Sequence, residues 1–106
     1  MIHVIAIITT QPGMRDAVLQ EFRANVPNVL AEAGCIEYGP AIDAPIPAGD
    51  GAAMQAKLGP DTFAVVEKWA DLSALQAHAA APHMLAYGAK VRSMLASRAV
   101  HILSPA

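Results

Sequence analysis

The first ten residues, MIHVIAIITT (residues 1–10), form an almost uninterrupted apolar run that is rich in β-branched side chains. The run stops at Pro12 and Gly13, which break regular backbone structure. This pattern predicts a strand that is buried on both faces, because a strand with one solvated face alternates apolar and polar residues. A sheet built around such a strand needs a covering layer on each side.

The segments after this strand alternate between helical and strand patterns. From Met14 to Ala33, apolar residues recur at three- and four-residue steps, which predicts an amphipathic helix that ends before Gly34. The segments CIEYGPAID (35–43) and TFAVVEKWA (62–70) predict the second and third strands, and SRAVHILS (97–104) predicts the fourth.

Two further segments connect the later strands. Residues 44–61 are rich in Pro, Gly and Ala and have weak periodicity, which predicts a long loop that is either a binding lid or a disordered segment. After the third strand, Asp71 or Ser73 is expected to cap a helix, and Ser73 and Gln76 have the spacing of a capping box. Pro82 is predicted to be the first residue of a following helix.

The order strand, helix, strand, strand, helix, strand is typical of the α+β class, in particular of a ferredoxin-like βαββαβ sandwich. Both helical segments then pack on one face of a four-stranded antiparallel sheet, within a single domain that spans residues 1–106. The opposite face lacks a covering element, although the first strand is apolar on both sides. We therefore expect a homodimer whose sheets pack face to face and bury several hundred Å² per subunit, at about 25 cal/mol per Å².

The composition excludes several classes of partner. A chain of 106 residues with 55% hydrophobic and 15% charged residues can form one compact core. A net charge of -2 without a cluster of Lys and Arg predicts no nucleic acid and no membrane partner. The apolar N-terminal run is shorter than the roughly 20 residues that span a bilayer, so a cytoplasmic location is expected. The single cysteine, Cys35, forms neither an internal disulfide nor a thiolate metal site.

The third strand carries the first candidate site residues. Alternation places one carboxylate among large apolar side chains on one face of this strand: Phe63, Val65, Glu67 and Trp69. A buried Glu67 must be hydrogen-bonded or have a raised pKa, because an unpaired buried carboxylate is very unfavourable. A structural role and a proton-transfer role both fit this position. Trp69 is either a core residue or the wall of a pocket at the end of the strand.

Two histidines follow in the helical segment. His78 lies three and six residues after Leu75 and Leu72, on the inward stripe, as either a satisfied core histidine or a pocket base. His83 lies one helical turn before Tyr87, so these side chains can meet in a packing role or a chemical one. The spacing of the histidines is a poor zinc pattern, and no metal site is predicted. The candidate residues suit a small apolar pocket for a flat aromatic ligand.

Two stretches resemble a known family: GCIEYGPAID (34–43) and TFAVVEKWADLSALQAHAAAPH (62–83). They are similar to the antibiotic biosynthesis monooxygenase superfamily, and Phe, Glu and Trp on the third strand followed by the two histidines resemble its quinol monooxygenase-like branch. The resemblance implies a dimeric α+β barrel in which the sheets of two ferredoxin-like domains associate. It also implies oxygenation of a quinol or similar phenolic aromatic by dioxygen without metal, flavin or other cofactor. The protein then supplies a base, an oxyanion site and a dry cavity, because the substrate anion itself reduces dioxygen.

The resemblance also implies roles for individual residues. His78 is expected to be the base or orienting group, Trp69 a stacking wall that donates its N–H, and Glu67 a third catalytic residue. The expected substrate-binding residues are Tyr38, Phe63, His83 and Tyr87.

Two other classes of function fit the same residues. A dimeric barrel of this fold could bind a small ligand or serve a stress-related role without turnover, because a fold does not determine a function. An isomerase or lyase could use His78 as a proton shuttle. Oxygen uptake distinguishes the oxygenase from both alternatives.

Overall fold

The chain folds into one four-stranded sheet with its helices on one side. The computed structural model describes all 106 residues. The elements in chain order are β1 (Ile2–Thr10), α1 (Arg15–Leu30), β2 (Cys35–Ala41), β3 (Thr62–Trp69), α2 (Leu72–Ala80), α3 (Pro82–Val91) and β4 (Leu95–Leu103), with single 3-10 turns at Ala52–Met54 and Arg92–Met94. The strand order is β2-β3-β1-β4, and every pair is antiparallel. The predicted α+β, ferredoxin-like fold is therefore confirmed.

The central strand β1 has two different faces. Val4, Ala6 and Thr10 point toward the helices and are buried. Ile5 and Ile7 point to the opposite side of the sheet and are only partly buried. The helices therefore bury the apolar residues on one face of β1. In a single chain, no element covers the outer face of the sheet.

The helical segment between β3 and β4 consists of two helices. Ala81 separates them in an extended conformation (φ -63°, ψ 137°), because the residue before a proline disfavours the helical region. Pro82 is the first residue of α3, as predicted. Asp71 is the N-cap of α2, and its Oδ1 accepts the backbone N–H of Ala74 at 2.8 Å. The predicted capping box does not form, because Ser73 already lies inside the helix.

Several elements begin or end at residues other than the predicted ones; β2 and β3 end at Ala41 and Trp69. Helix α1 ends at Leu30 instead of Ala33, and the chain turns into β2 through Gly34, whose φ of +82° is the left-handed conformation that glycine adopts readily. Strand β4 begins at Leu95, two residues earlier than predicted. No helix combines the length and the hydropathy that crossing a membrane requires.

The loop between β2 and β3 is closed at its base by one carboxylate. Asp43 Oδ1 and Oδ2 accept the backbone N–H groups of Leu58 and Gly59 at 2.8 and 2.9 Å. These two hydrogen bonds hold the pKa of Asp43 below its usual value. Residues 42–61 do not line the large cavity described below, so the loop does not cover that cavity as a lid.

Candidate active site

A cavity of about 900 Å³ lies between the helix-covered face of the sheet and the helices α2 and α3. Of its 23 lining residues, 17 are hydrophobic, so the cavity favours an apolar ligand. It opens along the edge strand β4. Val100 and Ile102 pair with Ala6 and Val4 on the same face, yet they are 49% and 54% exposed. A closed, dry cavity was expected, but in a single chain the helices leave this side open.

The polar groups at the floor of the cavity come from neighbouring strands. Tyr38 on β2 pairs with Glu67 on β3, and Glu67 pairs with Val4 on β1, so the three side chains stand side by side. His78 on α2 lies above them, with its ring centroid 5.4 Å from that of Tyr38. Three of the predicted site residues, Tyr38, Glu67 and His78, are thus buried together and line the cavity.

Glu67 is held by the tryptophan two residues further along the same face of β3. Trp69 Nε1–H donates a hydrogen bond to Glu67 Oε1 at 2.9 Å. Burial raises the pKa of Glu67, and the hydrogen bond from Trp69 opposes part of that increase. A carboxylate with a raised pKa is a better proton acceptor than an ordinary one. The geometry therefore fits a proton-transfer group as well as a structural one.

The indole of Trp69 lies behind the cavity wall instead of forming it. Trp69 is fully buried and does not line the cavity. Its ring centroid is 4.7 Å from that of His78, with an angle of 40° between the planes, and its N–H is already used by Glu67. Trp69 thus supports both Glu67 and His78 from behind, which differs from the stacking wall expected from the sequence.

A second carboxylate, Glu32, joins the two histidines. Glu32 lies in the turn after α1, and its Oε2 is 2.8 Å from His78 Nδ1 and 3.2 Å from His83 Nε2. The contact with His83 lacks hydrogen-bond geometry, and both ring nitrogens of His83 are buried without a hydrogen-bond partner. We therefore regard the bond to His78 as the stronger contact. His83 is not part of the cavity lining.

A glycine brings Glu32 and His78 together. The Gly34 carbonyl accepts the Ala70 N–H at 2.8 Å, which fixes the start of β2 beside the end of β3. A Cβ at Gly34 would lie 2.6 Å from the Cβ of Ala74, so only glycine allows α2 to approach this turn so closely. Glu32 was not among the site residues predicted from the sequence. The one local signal for Glu32 is Gly34, which follows two residues later and directly precedes β2. Because the first residue of β2, Cys35, pairs with Trp69, Glu32 lies near Trp69.

The hydrogen bond from His78 to Glu32 determines which ring nitrogen can react. A carboxylate that accepts from Nδ1–H favours the tautomer whose Nε2 carries the free lone pair. This tautomer is inferred from the hydrogen bond. Because His78 lines the cavity, its ring can accept a proton from a hydroxyl group bound there.

Aromatic rings form the rest of the wall around Phe22 of α1. The Phe22 ring stacks on Tyr38 at 5.2 Å and meets Phe63 and Tyr87 edge to face at 5.7 and 5.9 Å. Burial raises the pKa of the Tyr87 hydroxyl to about 12 and also raises that of Tyr38, so both are neutral O–H groups near pH 7. Tyr38 and Tyr87 line the cavity, whereas Phe63 is fully buried beneath it. Phe22 was not among the predicted site residues, because the helical pattern of α1 contains no signal for a pocket wall.

The fold and this site define a class of small ferredoxin-like α+β proteins with a buried acid and histidine beneath an apolar, aromatic cavity. The chain matches the antibiotic biosynthesis monooxygenase family over residues 1–90, and it belongs to that family. Membership supports a monooxygenase activity in general terms.

Individual relatives agree with this assignment. The chain is 38% identical over 107 residues to the "Probable quinol monooxygenase YgiN" of Escherichia coli K12, covering 99% of this chain and 98% of that protein. The crystal structure of PA3566 from Pseudomonas aeruginosa is similar with a TM-score of 0.77 and 28% identity, covering 99% of this chain and 93% of the other. Rv0793 from Mycobacterium tuberculosis is similar with a TM-score of 0.76 and 26% identity, covering 99% and 94%. The likeness therefore extends over the whole domain.

Proposed function

We propose that this protein is a monooxygenase that oxidises a quinol or a similar phenolic aromatic with dioxygen and without a cofactor. One observation carries the proposal: His78, held by Glu32, and Glu67, held by Trp69, lie together at the floor of an apolar cavity. The family and the quinol monooxygenase relative support the same reaction class.

The proposed mechanism begins with proton transfer from the bound quinol. His78 Nε2 accepts the phenolic proton, and the Glu32 carboxylate offsets the positive charge that the ring acquires. The neutral hydroxyls of Tyr38 and Tyr87 are positioned to donate hydrogen bonds to a substrate oxyanion. Glu67 can accept the second phenolic proton, because its raised pKa suits it to this step.

The electrons for oxygen reduction come from the substrate. The quinol anion reduces dioxygen directly; one oxygen atom forms a new C–O bond at a ring carbon that loses its hydrogen, and the other oxygen leaves as water. A quinol and one dioxygen molecule then give a hydroxyquinone and one water molecule. The four electrons that dioxygen accepts are the four that the ring loses, so no external reductant is required.

The experiment that tests this proposal measures oxygen uptake and isotope incorporation with menadiol. The wild-type protein is expected to consume dioxygen faster than the spontaneous oxidation and to insert one labelled oxygen atom from ¹⁸O₂ into the product. His78→Ala is expected to reduce the catalysed rate to the spontaneous one, since a general base supplies about 10²- to 10⁴-fold. Gln76→Ala, at an exposed residue of α2 that does not line the cavity, is the control and should retain the rate.

The same experiment distinguishes the alternative functions. Tight binding of a phenol without oxygen uptake would favour the non-catalytic ligand-binding function and overturn the oxygenase. Exchange of substrate protons with solvent without oxygen uptake would favour an isomerase or lyase. Uptake that survives in His78→Ala would contradict the role of His78.

We also propose that two copies associate through the outer face of the sheet, in the cytoplasm as expected from the sequence. Ile5 pairs with Val66, and Ile7 pairs with Ala64, so the centre of this face is apolar. Residues of this kind are seldom left exposed over a whole sheet face. A second sheet packed on this face would cover them.

A further inference from the structure

The cavity has a second polar region, at the end remote from Glu67. Arg92, in the turn before β4, and Arg98, on β4, line this end. In the strand register, Arg98 pairs with Ile8, whereas Glu67 pairs with Val4. Four residues of extended strand separate these two rows, which corresponds to roughly 13 Å. The acid–base end and the arginine end thus lie at opposite ends of one elongated cavity.

Neither arginine has a carboxylate partner. The acidic residue in the cavity lining is Glu67, at the opposite end. The chain carries two more negative than positive charges, yet Arg92 and Arg98 take part in none of its ion pairs. The basic residues of those pairs are Lys68, His78, His83 and Lys90. Both arginines are exposed, so two guanidinium groups without a carboxylate partner stand at the solvent-open mouth of an apolar cavity.

The wall between the two ends is apolar. Ala6 and Val65 pair across β1 and β3, and Val100 pairs with Ala6 from β4. All three line the cavity between the two polar ends. A ligand that matches this order of surfaces has a hydroxyl at one end, an apolar body, and an anionic group at the other end.

We propose that the substrate carries a carboxylate remote from its reacting phenol and that Arg98 and Arg92 bind this carboxylate. The inference rests on the proposed function for the identity of the reacting ring, and it adds the chemical class: an elongated phenol or hydroquinone of two or more fused rings with an acidic substituent. Guanidinium groups bind carboxylates through paired, charge-assisted hydrogen bonds. The attraction is stronger beside apolar protein surface than in bulk water. A small neutral quinol has no anionic group that could bind the guanidinium groups of Arg92 and Arg98.

The experiment measures binding without turnover. Titration calorimetry compares a hydroxynaphthoate with the matching neutral hydroxynaphthamide, each with its two substituents at opposite ends of the ring system. The acid is expected to bind the wild-type protein about tenfold more tightly than the amide, as one or two charge-assisted hydrogen bonds would provide. The double variant Arg92→Gln, Arg98→Gln should lower this preference about five- to tenfold, and added salt should lower it in the wild type.

A third arginine provides the matched control. Arg23 is exposed on α1 and does not line the cavity, so Arg23→Gln should keep the wild-type preference for the acid. Equal binding of acid and amide by the wild-type protein would overturn the proposal, as would an unchanged preference in the double variant. These results are independent of oxygen uptake. If the protein does not oxygenate menadiol, the proposed function is overturned. A measured preference for the acid over the amide would then still indicate an anion-binding end of the cavity.

Discussion

The Glu32 carboxylate contacts two imidazoles through one oxygen atom, and this contact determines how His78 can act. Oε2 lies 2.8 Å from His78 Nδ1 and 3.2 Å from His83 Nε2. A carboxylate in this place holds the His78 ring in one orientation and one tautomer, as in other acid–histidine pairs. Glu32 does not line the cavity, so we regard it as a positioning residue.

Replacing Glu32 by Gln is expected to lower kcat for oxygen uptake about 10- to 100-fold with a smaller change in KM, because His78 loses its oriented carboxylate while the cavity keeps its shape. The pH dependence of kcat should also change, which a purely structural role would not cause. Glu37→Gln is the control, because Glu37 is an exposed residue of β2 that contacts Lys68 at 3.9 Å. An unchanged kcat and pH profile in Glu32→Gln would contradict the assignment.

The raised pKa of Glu67 makes stability depend on pH in a defined direction. Above the ordinary value of 4.5, the unfolded carboxyl loses its proton while the native one retains it. The native state then binds more protons than the unfolded state, so the free energy of unfolding falls as pH rises toward the folded pKa. Glu67→Gln removes this effect and still offers Trp69 an oxygen acceptor.

Glu67→Gln is therefore expected to raise Tm relative to the wild type, and the difference should widen as pH rises from 4.5 to the folded pKa of Glu67 and stay constant above it. Thermal melts of the two proteins across this range check the prediction. Groups that titrate in both proteins affect both Tm values, so the difference between the two Tm values reports on Glu67. A difference that narrows as pH rises would mean that the native state favours the ionised carboxylate.

At the scale of elements, the start of α2 positions His78. The Asp71 side chain caps the helix, and Gly34 permits the close approach of the helix to the turn that holds Glu32. Helix α2 has nine residues, which is too short to be stable without its cap and its packing. The geometry of the site therefore depends on this cap.

Asp71→Ala is expected to destabilise the protein by about 1 kcal/mol, the usual cost of losing an N-cap side chain. For a domain of this size, that corresponds to a decrease in Tm of about 4–8 °C. Ser73→Ala is the matched control two residues further on, since Ser73 makes no capping bond, and its Tm should stay close to that of the wild type. Equal effects of the two substitutions, measured by thermal unfolding, would show that Asp71 does not cap the helix in solution.

At the scale of the whole molecule, the chain leaves one face of its sheet uncovered. The strands there present Ile5, Ile7 and Val66, which are only partly buried. A stable interface buries about 800 Å² per partner, which a four-stranded face can supply. The helices cover only one face of β1, and association of two copies would bury the apolar residues on its other face.

Ile5→Asp is expected to convert a dimer into a monomer, because the substitution places a charge at the centre of the proposed interface. Sedimentation at micromolar concentration measures the change, and circular dichroism verifies that the variant is folded. Leu72→Asp, at an exposed apolar residue of α2, adds the same charge elsewhere and should remain dimeric. A wild-type protein that sediments as a monomer, or an Ile5→Asp variant that remains dimeric, would overturn the proposed association.

The sequence by itself determined the elements and their order. Periods of two and of three to four residues identify strands and helices, because these periods follow from local backbone geometry. Pro82 and Asp71 mark helix starts for equally local reasons. Few topologies are compatible with the βαββαβ order, so the fold could be predicted from the sequence. Glu67 and His78 could also be selected, since their faces follow from the same periods, whereas Tyr38 was selected through the resemblance to a known family.

Only the tertiary structure decided which side chains meet. Glu32 and His78 are 46 residues apart, and no local pattern links them. The strand register and the close contact at Gly34 bring them together. The position of Trp69 behind Glu67 and that of Arg98 at the cavity mouth also depend on how distant segments pack. Which neighbours a side chain has depends on the packing of distant segments, whereas a sequence pattern reports only the face on which that side chain lies.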